Sequence, residues 1–291
     1  MNFSPFEQSL EGGLVVRGLQ SQQRDLPLLV FLHGNGFSAG VYLPMLQILA
    51  DDFDVLAIDL PGHGRSDTPD VFPGWNAVAE LAHTAAVQTG LLCDRPVIGA
   101  GHSLGGALTL LSAYRHANTY ESLVLLDPII FPKRLLMFMR IVSALGLTSV
   151  LHPHVTPTRR RRNGWPDRKA AYDYLHGRKI FENWTDEALL GFTNHALAVH
   201  TDNTVRLACD PETEATFFST LPDGLWKALQ GVSKNTTMIM GEKTYPFSLK
   251  AAHTADRLNK SISHKIVAGG HCFMQENPAM AAQELRAFTG K

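Results

Sequence analysis

The chain carries a serine whose neighbours suit nucleophilic chemistry. Ser103 stands in Gly101-His102-Ser103-Leu104-Gly105, a Gly-x-Ser-x-Gly pattern between the apolar run Val97–Ala100 and a helical pattern that opens with small residues. A sharp strand-to-helix turn of this kind holds a serine hydroxyl clear of the backbone, and the free N–H groups at the helix start favour negative charge there. The bare pentapeptide also occurs by chance in loops, so the flanking strand and helix carry the prediction that Ser103 is a nucleophile.

A serine hydroxyl becomes a good nucleophile only when a base takes its proton, and a carboxylate must hold that base in the right tautomer. His271 fits the place of the base, because it follows an apolar run through the flexible segment Ala268-Gly269-Gly270. His33 and His63 stand in glycine-rich turns and are interpreted as residues that brace loops. His102 is expected to point away from the serine beside it.

Buried apolar runs alternate with helical patterns over residues 1–130 and again from residue 232. The predicted strands are 14–17, 28–32, 53–60, the run before Ser103, 123–126, 237–240 and 264–267, with a polar turn at 20–25. This alternation predicts an α/β fold with a mostly parallel sheet flanked by helices, whose ligand site lies beyond the carboxyl ends of the strands. Asn35, Ser103 and Asp127 all stand at such ends.

The alternation breaks between residues 131 and 231, where helical patterns continue without a convincing parallel strand. We interpret this segment as a mainly helical cap inserted into a core formed by residues 1–130 and 232–291. Its run Arg159-Arg160-Arg161-Arg162 is either a solvated face, the ordinary fate of a charge run, or a rim that attracts a carboxylate- or phosphate-bearing substrate. Several large side chains either line an acyl pocket or form the core of the cap, namely Phe131, Leu135, Met137, Phe138 and Trp165.

The composition limits the classes of function. The chain has 291 residues, of which 45% are hydrophobic and 18% charged, and its formal net charge is −1. Such a chain has no global field to attract nucleic acid or an anionic membrane, and its most apolar windows are too short or too charged to span a bilayer. Scattered cysteines give no disulfide framework, and His152 and His154 lack a third metal ligand. The first residues do not form a secretory signal, so we expect a soluble, cytoplasmic protein.

Four motifs resemble those of the α/β-hydrolase superfamily: His33-Gly34-Asn35-Gly36, Asp59-Leu60-Pro61-Gly62-His63-Gly64-Arg65-Ser66, the pentapeptide around Ser103, and Gly269-Gly270-His271. The resemblance covers residues 1–130 and 232–291, and Arg206–Ala215 resembles a piece shared by some capped members. It implies an α/β-hydrolase fold and chemistry without a metal or organic cofactor. It also implies that the backbone N–H groups of Leu104 and Asn35 hold the oxyanion, although asparagine also suits a plain turn.

The acid of the triad has two candidates. In most members that the chain resembles, an aspartate stands three residues after Gly241, and here that place is Thr244, which carries no charge. Some members, including haloalkane dehalogenases, place the acid at the end of the strand after the elbow helix, which matches Asp127. The pair Asp127-Pro128 also fits a structural turn, and Glu242 is the alternative acid because its longer side chain reaches further. We assign Asp127 as the acid.

The residues and the resemblance together predict a serine hydrolase of the carboxylesterase or lipase type, which cleaves a small or medium carboxylic ester. Ser103 would attack the carbonyl, His271 would carry the proton, and Asp127 would orient His271. A carbon–carbon bond hydrolase, a thioesterase or an amidase would use the same triad. If Thr244 marks a lapsed triad, the chain is a non-catalytic binding protein on this fold. A dehalogenase or an epoxide hydrolase would need a carboxylate in place of Ser103 and is disfavoured.

Overall fold

The computed structural model describes residues 2–145 and 153–289. In chain order, its strands are β1 Phe3–Ser9, β2 Val15–Ser21, β3 Leu28–Leu32, β4 Asp54–Ile58, β5 Val97–His102, β6 Ser122–Leu126, β7 Gly164–Trp165, β8 Leu197–Val199, β9 Val205–Leu207, β10 Asn235–Lys243 and β11 Ile262–Gly270. Eight of these strands form the central sheet, in the order β1-β2-β4-β3-β5-β6-β10-β11. All neighbours from β4 to β11 in that order are parallel, whereas β2 is antiparallel to both β1 and β4.

Helices pack on both faces of this sheet because its central strands are apolar on both sides. All of β3 is buried: Leu28, Val30 and Leu32 join one hydrophobic cluster, and Leu29 and Phe31 join the other. The α-helices are α1 Leu43–Leu49, α2 Trp75–Gln88, α3 Leu104–Arg115, α4 Lys133–Ala144, α5 Val155–Arg159, α6 Arg168–Leu175, α7 Asp186–His195, α8 Pro211–Ser219, α9 Leu225–Gly231, α10 Pro246–Leu258, α11 Phe273–Glu276 and α12 Pro278–Thr289. Short 3-10 helices cover Glu11–Gly13, Ala39–Tyr42 and Lys179–Phe181.

The predicted fold class is confirmed, and the antiparallel edge of the sheet is where the sequence interpretation fell short. Strand β1 was not predicted, because Phe6 is its one buried side chain and its other positions, apart from the half-buried Phe3, are polar or exposed. Strand β2 continues to Ser21, so the polar turn predicted from residue 20 was wrong at its start. Edge strands carry a weak hydrophobic pattern because water reaches one side of them, and β1 illustrates this limit.

The segment between β6 and β10 is mainly helical, as expected of a cap, and it also contains a small antiparallel sheet. This sheet has the order β7-β9-β8 and strands of two or three residues, too short to give a readable pattern in the sequence. Helix α9 at the end of the segment packs against α3 of the core, where a Cβ at Gly231 would meet the ring of Tyr114. Residues 146–152 of the predicted cap lie outside the described residues, and the boundaries 131 and 231 stay predictions.

Candidate active site

Ser103 occupies the tight turn between β5 and α3. Its backbone has φ +53° and ψ −113°, a conformation that non-glycine residues rarely adopt, and its N–H donates to the Leu126 carbonyl at 3.0 Å. The turn needs glycine on either side: a Cβ at Gly101 would lie 2.5 Å from the Gly105 carbonyl carbon, and one at Gly105 would lie 2.1 Å from the Leu32 oxygen. Strand and helix are therefore close enough to present the serine at the sheet edge.

His271 connects this serine to a buried carboxylate. Its Nε2 lies 2.9 Å from Ser103 Oγ, and its Nδ1 lies 2.9 Å from Asp127 Oδ1. A carboxylate accepts hydrogen bonds, so the proton of the neutral imidazole belongs on Nδ1, which leaves Nε2 free to accept the serine proton. The structure thus brings together the three residues predicted as nucleophile, base and acid.

Asp127 directly follows β6 and is completely buried. Its carboxylate accepts hydrogen bonds from the last residues of β10 and the residue that follows this strand. Its Oδ2 accepts the Gly241 N–H at 2.7 Å, and its Oδ1 accepts the Thr244 hydroxyl at 2.5 Å. Glu242 is exposed, with its carboxylate 3.9 Å from the Lys243 ammonium, so the carboxylate in contact with His271 is that of Asp127. The hydrogen bond from Thr244 to Asp127 was not predicted. The sequence did contain a signal for it, namely a residue with a hydroxyl group at the position where the resembled family usually has its acid.

Asn35 and Leu104, the two residues predicted to hold the oxyanion, line the same cavity as Ser103. The Asn35 side chain is engaged elsewhere: Nδ2 donates to the Glu214 carbonyl at 3.0 Å, and Oδ1 lies 3.2 Å from His63 Nε2. These bonds fix the loop after β3 beside the nucleophile. The assignment of the two backbone N–H groups as oxyanion donors stays a prediction.

A hydrogen-bond chain beneath the site joins the loop after β3 to His271. The Gly34 N–H donates to Tyr42 Oη at 3.0 Å, and Tyr42 donates in turn to His102 Nδ1 at 2.7 Å. His102 Nε2 then donates to the His271 carbonyl at 2.9 Å. Burial holds the pKa of His102 well below its usual value, so the ring is neutral and one of its nitrogens accepts. His102 therefore braces the His271 loop, and this role was not predicted.

His33 and His63 brace loops, as their positions in glycine-rich turns indicated. His33 Nδ1 donates to the Gly34 carbonyl at 2.8 Å, and its Nε2 accepts the Leu60 N–H at 2.9 Å. His63 contacts Asn35, and burial lowers the pKa of His63 to about 4. Burial also holds the pKa of His33 well below its usual value, so both rings are neutral near pH 7 and add no charge to the site.

A cavity of about 420 Å³ opens above Ser103 and His271, between the central sheet and the mainly helical segment that joins β6 to β10. Three of the five predicted pocket residues, Phe131, Leu135 and Phe138, line it. Met137 is instead exposed on α4, and Trp165 is buried in the cap. The remaining apolar wall is mostly aromatic and comes from core and cap, with Phe37, Trp75, Phe181, Phe192, Phe217, Phe218, Tyr245 and Phe247.

The four consecutive arginines have different surroundings, so neither single interpretation of the run holds for all of them. Arg159 forms an exposed pair with Glu212, and Arg160 is exposed. Arg162 lies over the Trp165 ring at 5.5 Å. Arg161 alone among the four lines the cavity, where it contacts Glu214. The sequence pattern did not distinguish the residue that turns inward.

Within residues 2–145 and 153–289, no cluster of histidine, cysteine and acidic side chains is arranged to hold a metal ion. His152 of the predicted pair lies outside these residues. Every helix in the described part of the chain is too short or too polar to form a membrane span. The three cysteines, Cys93, Cys209 and Cys272, are free.

A mostly parallel sheet with a serine at the turn after its fifth strand, an acid after β6 and a histidine after β11 defines the α/β-hydrolase class. Residues 29–284 match the alpha/beta hydrolase family, and the chain belongs to that family. The resemblance inferred from the four motifs is thereby confirmed.

Named relatives match parts of the chain. The 2-(acetamidomethylene)succinate hydrolase of Mesorhizobium japonicum is 33% identical over 101 residues, 35% of this chain and 35% of that protein. A pimeloyl-[acyl-carrier protein] methyl ester esterase of Stenotrophomonas maltophilia is 37% identical over 87 residues, 30% of each chain. The match therefore spans about a third of the length of these curated relatives. The crystal structure of E-2-(acetamidomethylene)succinate hydrolase superposes over 100% of both chains, with a TM-score of 0.77 and 21% identity, which shows a shared fold.

Proposed function

We propose that the protein is a serine hydrolase that cleaves a small or medium carboxylic ester through an acyl-enzyme intermediate. One observation carries the proposal: a continuous hydrogen-bonded line from Ser103 Oγ through the His271 imidazole to the buried Asp127 carboxylate. This line supplies the nucleophile, the base and the orienting charge that acyl transfer needs. The membership of the chain in a family of hydrolases supports the same conclusion.

The first half of the reaction forms the acyl-enzyme. The Ser103 proton passes to His271 Nε2 while Oγ attacks the ester carbonyl carbon, and the carbonyl oxygen becomes an oxyanion. The N–H groups of Leu104 and Asn35 would stabilise that oxyanion, and each such donor is typically worth about 3 kcal/mol in the transition state. His271 then returns the proton to the leaving alcohol as the carbon–oxygen bond breaks.

The second half repeats these roles with water. His271 takes a proton from the water, which attacks the acyl carbon, and the proton passes to Ser103 Oγ as the acid product leaves. Throughout, the Asp127 carboxylate balances the imidazolium. The apolar walls of the cavity suit an aliphatic or aromatic acyl group of modest size, since about 420 Å³ falls within the range of small-molecule sites.

Other substrates of the same machinery are a carbon–carbon bond, a thioester and an amide. An ester is favoured over these by the relative whose name describes a methyl ester esterase, whereas the other relative is named for a succinate derivative. A non-catalytic binding role would follow from a lapsed triad. The hydrogen bond from Thr244 to Asp127 argues against that role, because the threonine at the usual acid position supports the displaced acid.

Labelling with a fluorophosphonate probe tests the proposal directly, because the probe forms a stable adduct with an activated serine. We expect a single adduct on Ser103, located by peptide mass spectrometry, and none in the Ser103→Ala variant. Ser219→Ala is the matched control, since Ser219 lines the same cavity but bonds to the Thr216 carbonyl. A folded wild-type protein that leaves Ser103 unlabelled and hydrolyses no p-nitrophenyl ester would favour the binding role.

A further inference from the structure

Two arginine–glutamate pairs join α5 and the residues after it to α8, and they differ in the burial of the glutamate. The outer pair, Arg159 with Glu212, is bidentate, with both nitrogen–oxygen distances at 2.8 Å and both side chains exposed. The inner pair, Arg161 with Glu214, faces the cavity above Ser103, and the Glu214 side chain is only 8% exposed. The inner pair therefore places charged groups in a wall that is otherwise mainly apolar.

The inner pair lies beside the loop predicted to hold the oxyanion. The Glu214 carbonyl accepts the Asn35 amide, and a Cβ at Gly36 would lie 2.8 Å from the Glu214 carboxylate carbon. Gly36 has φ +76°, so the loop uses glycine where it passes under this carboxylate. A ligand group that reaches the inner pair would thus be anchored close to the reacting carbonyl.

The inner pair leaves hydrogen-bonding capacity unused. Arg161 Nη2 pairs with Glu214 Oε2, whereas the buried Arg161 Nε has no hydrogen-bond partner within the described residues. Buried polar groups are normally satisfied, because an unmet donor keeps the full cost of its desolvation. A guanidinium with free donors matches a planar carboxylate in shape and in charge.

We propose that Arg161, opposed by Glu214, forms an anion-binding subsite that selects esters whose acyl chain ends in a carboxylate. This inference rests on the proposed hydrolase function and narrows its substrate class. The substrate carboxylate pairs with Arg161, while the apolar wall contacts the methylene chain between that carboxylate and the ester carbonyl. Glu214 competes with the substrate for the same guanidinium.

The competition depends on pH. Burial raises the pKa of Glu214 to about 7, so a protonated Glu214 leaves Arg161 to the substrate below that pH, and an ionised Glu214 holds Arg161 above it. Two nearby titratable groups keep one charge state between about pH 6 and 8, since His63 is neutral and the buried Cys209 thiol stays protonated, and Asp210 at the start of α8 is exposed. Burial lowers the pKa of His154, which also lines the cavity.

The test compares p-nitrophenyl esters that differ in one terminal group, the adipate monoester against the neutral hexanoate. The measured quantity is the ratio of their kcat/KM values, because any pH effect on the acyl-transfer steps that the two esters share cancels in the ratio. In the wild-type protein we expect this ratio to fall about tenfold between about pH 6 and pH 8, the change in protonated fraction for a group with a pKa near 7. A ratio that does not change with pH would overturn the subsite, and this measurement needs no variant.

Variants assign the effect to the inner pair. Glu214→Gln removes the competing charge, so the ratio at pH 8 should rise about tenfold and lose its pH dependence. Arg161→Gln should lower the ratio at least about tenfold at pH 6. Arg159→Gln is the matched control, since it breaks the outer pair between the same segments and should keep the wild-type ratio. A wild-type ratio in Arg161→Gln would overturn the proposal.

A binding measurement separates the subsite from the proposed function. Calorimetric titration of the protein with adipate needs no turnover, and we expect its Kd to rise about tenfold from pH 6 to pH 8. Adipate that does not bind, or whose Kd is independent of pH, would overturn the subsite even if neutral esters are hydrolysed and Ser103 is labelled. Conversely, pH-dependent binding without labelling or hydrolysis would support the subsite and overturn the hydrolase proposal alone.

Discussion

Asp127 after β6 and Glu214 in α8 are both buried carboxylates near Ser103, and they differ in the donors that surround them. Asp127 receives a backbone N–H, a threonine hydroxyl and the imidazole of His271. Glu214 contacts a single guanidinium, and burial raises its pKa to about 7. Asp127 is thus surrounded by several fixed donors, whereas desolvation remains the dominant influence on the Glu214 carboxylate.

Because their donors differ, the two carboxylates suit different roles in the same site. A carboxylate with several neutral or cationic donors is suited to hold negative charge throughout a reaction cycle. A carboxylate with one counter-charge and little water takes up a proton near neutral pH instead. The donors of Asp127 come from the ends of β10 and β11, which are fixed by the sheet, whereas the partner of Glu214 comes from the residues after α5.

Replacing Asp127 by asparagine has the largest expected effect. The amide keeps the shape but removes the charge that orients His271, so kcat for p-nitrophenyl esters should fall roughly 10⁴-fold. Glu242→Gln is the matched control and should keep wild-type turnover, since Glu242 is exposed and contacts Lys243. Loss of turnover in Glu242→Gln, with activity retained in Asp127→Asn, would exchange the roles of the two carboxylates.

The second-largest expected effect is on the free energy of unfolding, which should depend on pH through Glu214. The pKa of Glu214 is raised from 4.5 to about 7 in the folded chain, so between these values the folded chain holds a proton that the unfolded chain has released. Stability must therefore fall as the pH rises through this window, by on the order of 3 kcal/mol above pH 7. Urea unfolding of wild type and Glu214→Gln at about pH 5 and pH 8 measures the difference. Identical pH dependence in both proteins would contradict the assignment.

Removing the Thr244 hydroxyl should have the smallest of these effects. Thr244→Val keeps the shape but deletes a donor to Asp127, and hydrogen bonds to charged groups are worth about 1.5–3 kcal/mol. If about half of that energy acts on the transition state, kcat should fall about tenfold with KM unchanged. Thr244→Ser keeps the hydroxyl and should keep most of the rate. Equal kcat values in valine and wild-type proteins would show that the backbone N–H alone holds the acid.

The sequence predicted the structure well where a short run of residues is enough to determine the local backbone geometry. Glycines around Ser103 predicted the turn because a tight strand-to-helix junction excludes a Cβ, and strand ends predicted that Asp127 and His271 lie near it. The central strands were predicted well because burial on both faces makes them continuously apolar.

Features that depend on packing between distant segments were not predicted. Whether Arg161 or its neighbours turn inward is decided by how the residues after α5 meet α8, and these lie about fifty residues apart in the sequence. The sequence shows only that Thr244 cannot carry the charge of the acid, because its hydroxyl reaches Asp127 only when β6 and β10 pair. The short strands β7, β8 and β9 carry too few residues for any periodicity to appear.

The chain of hydrogen bonds from Gly34 through Tyr42 and His102 to the His271 carbonyl has a consequence for how the molecule accommodates change. It crosses from the first third of the polypeptide to its last tenth, and no group in it comes from residues 131–231. These hydrogen bonds therefore help to hold His271 in line with Ser103 without a contribution from residues 131–231. A chimaera that exchanges residues 131–231 for those of another family member would acquire a new substrate preference and keep this chain of hydrogen bonds.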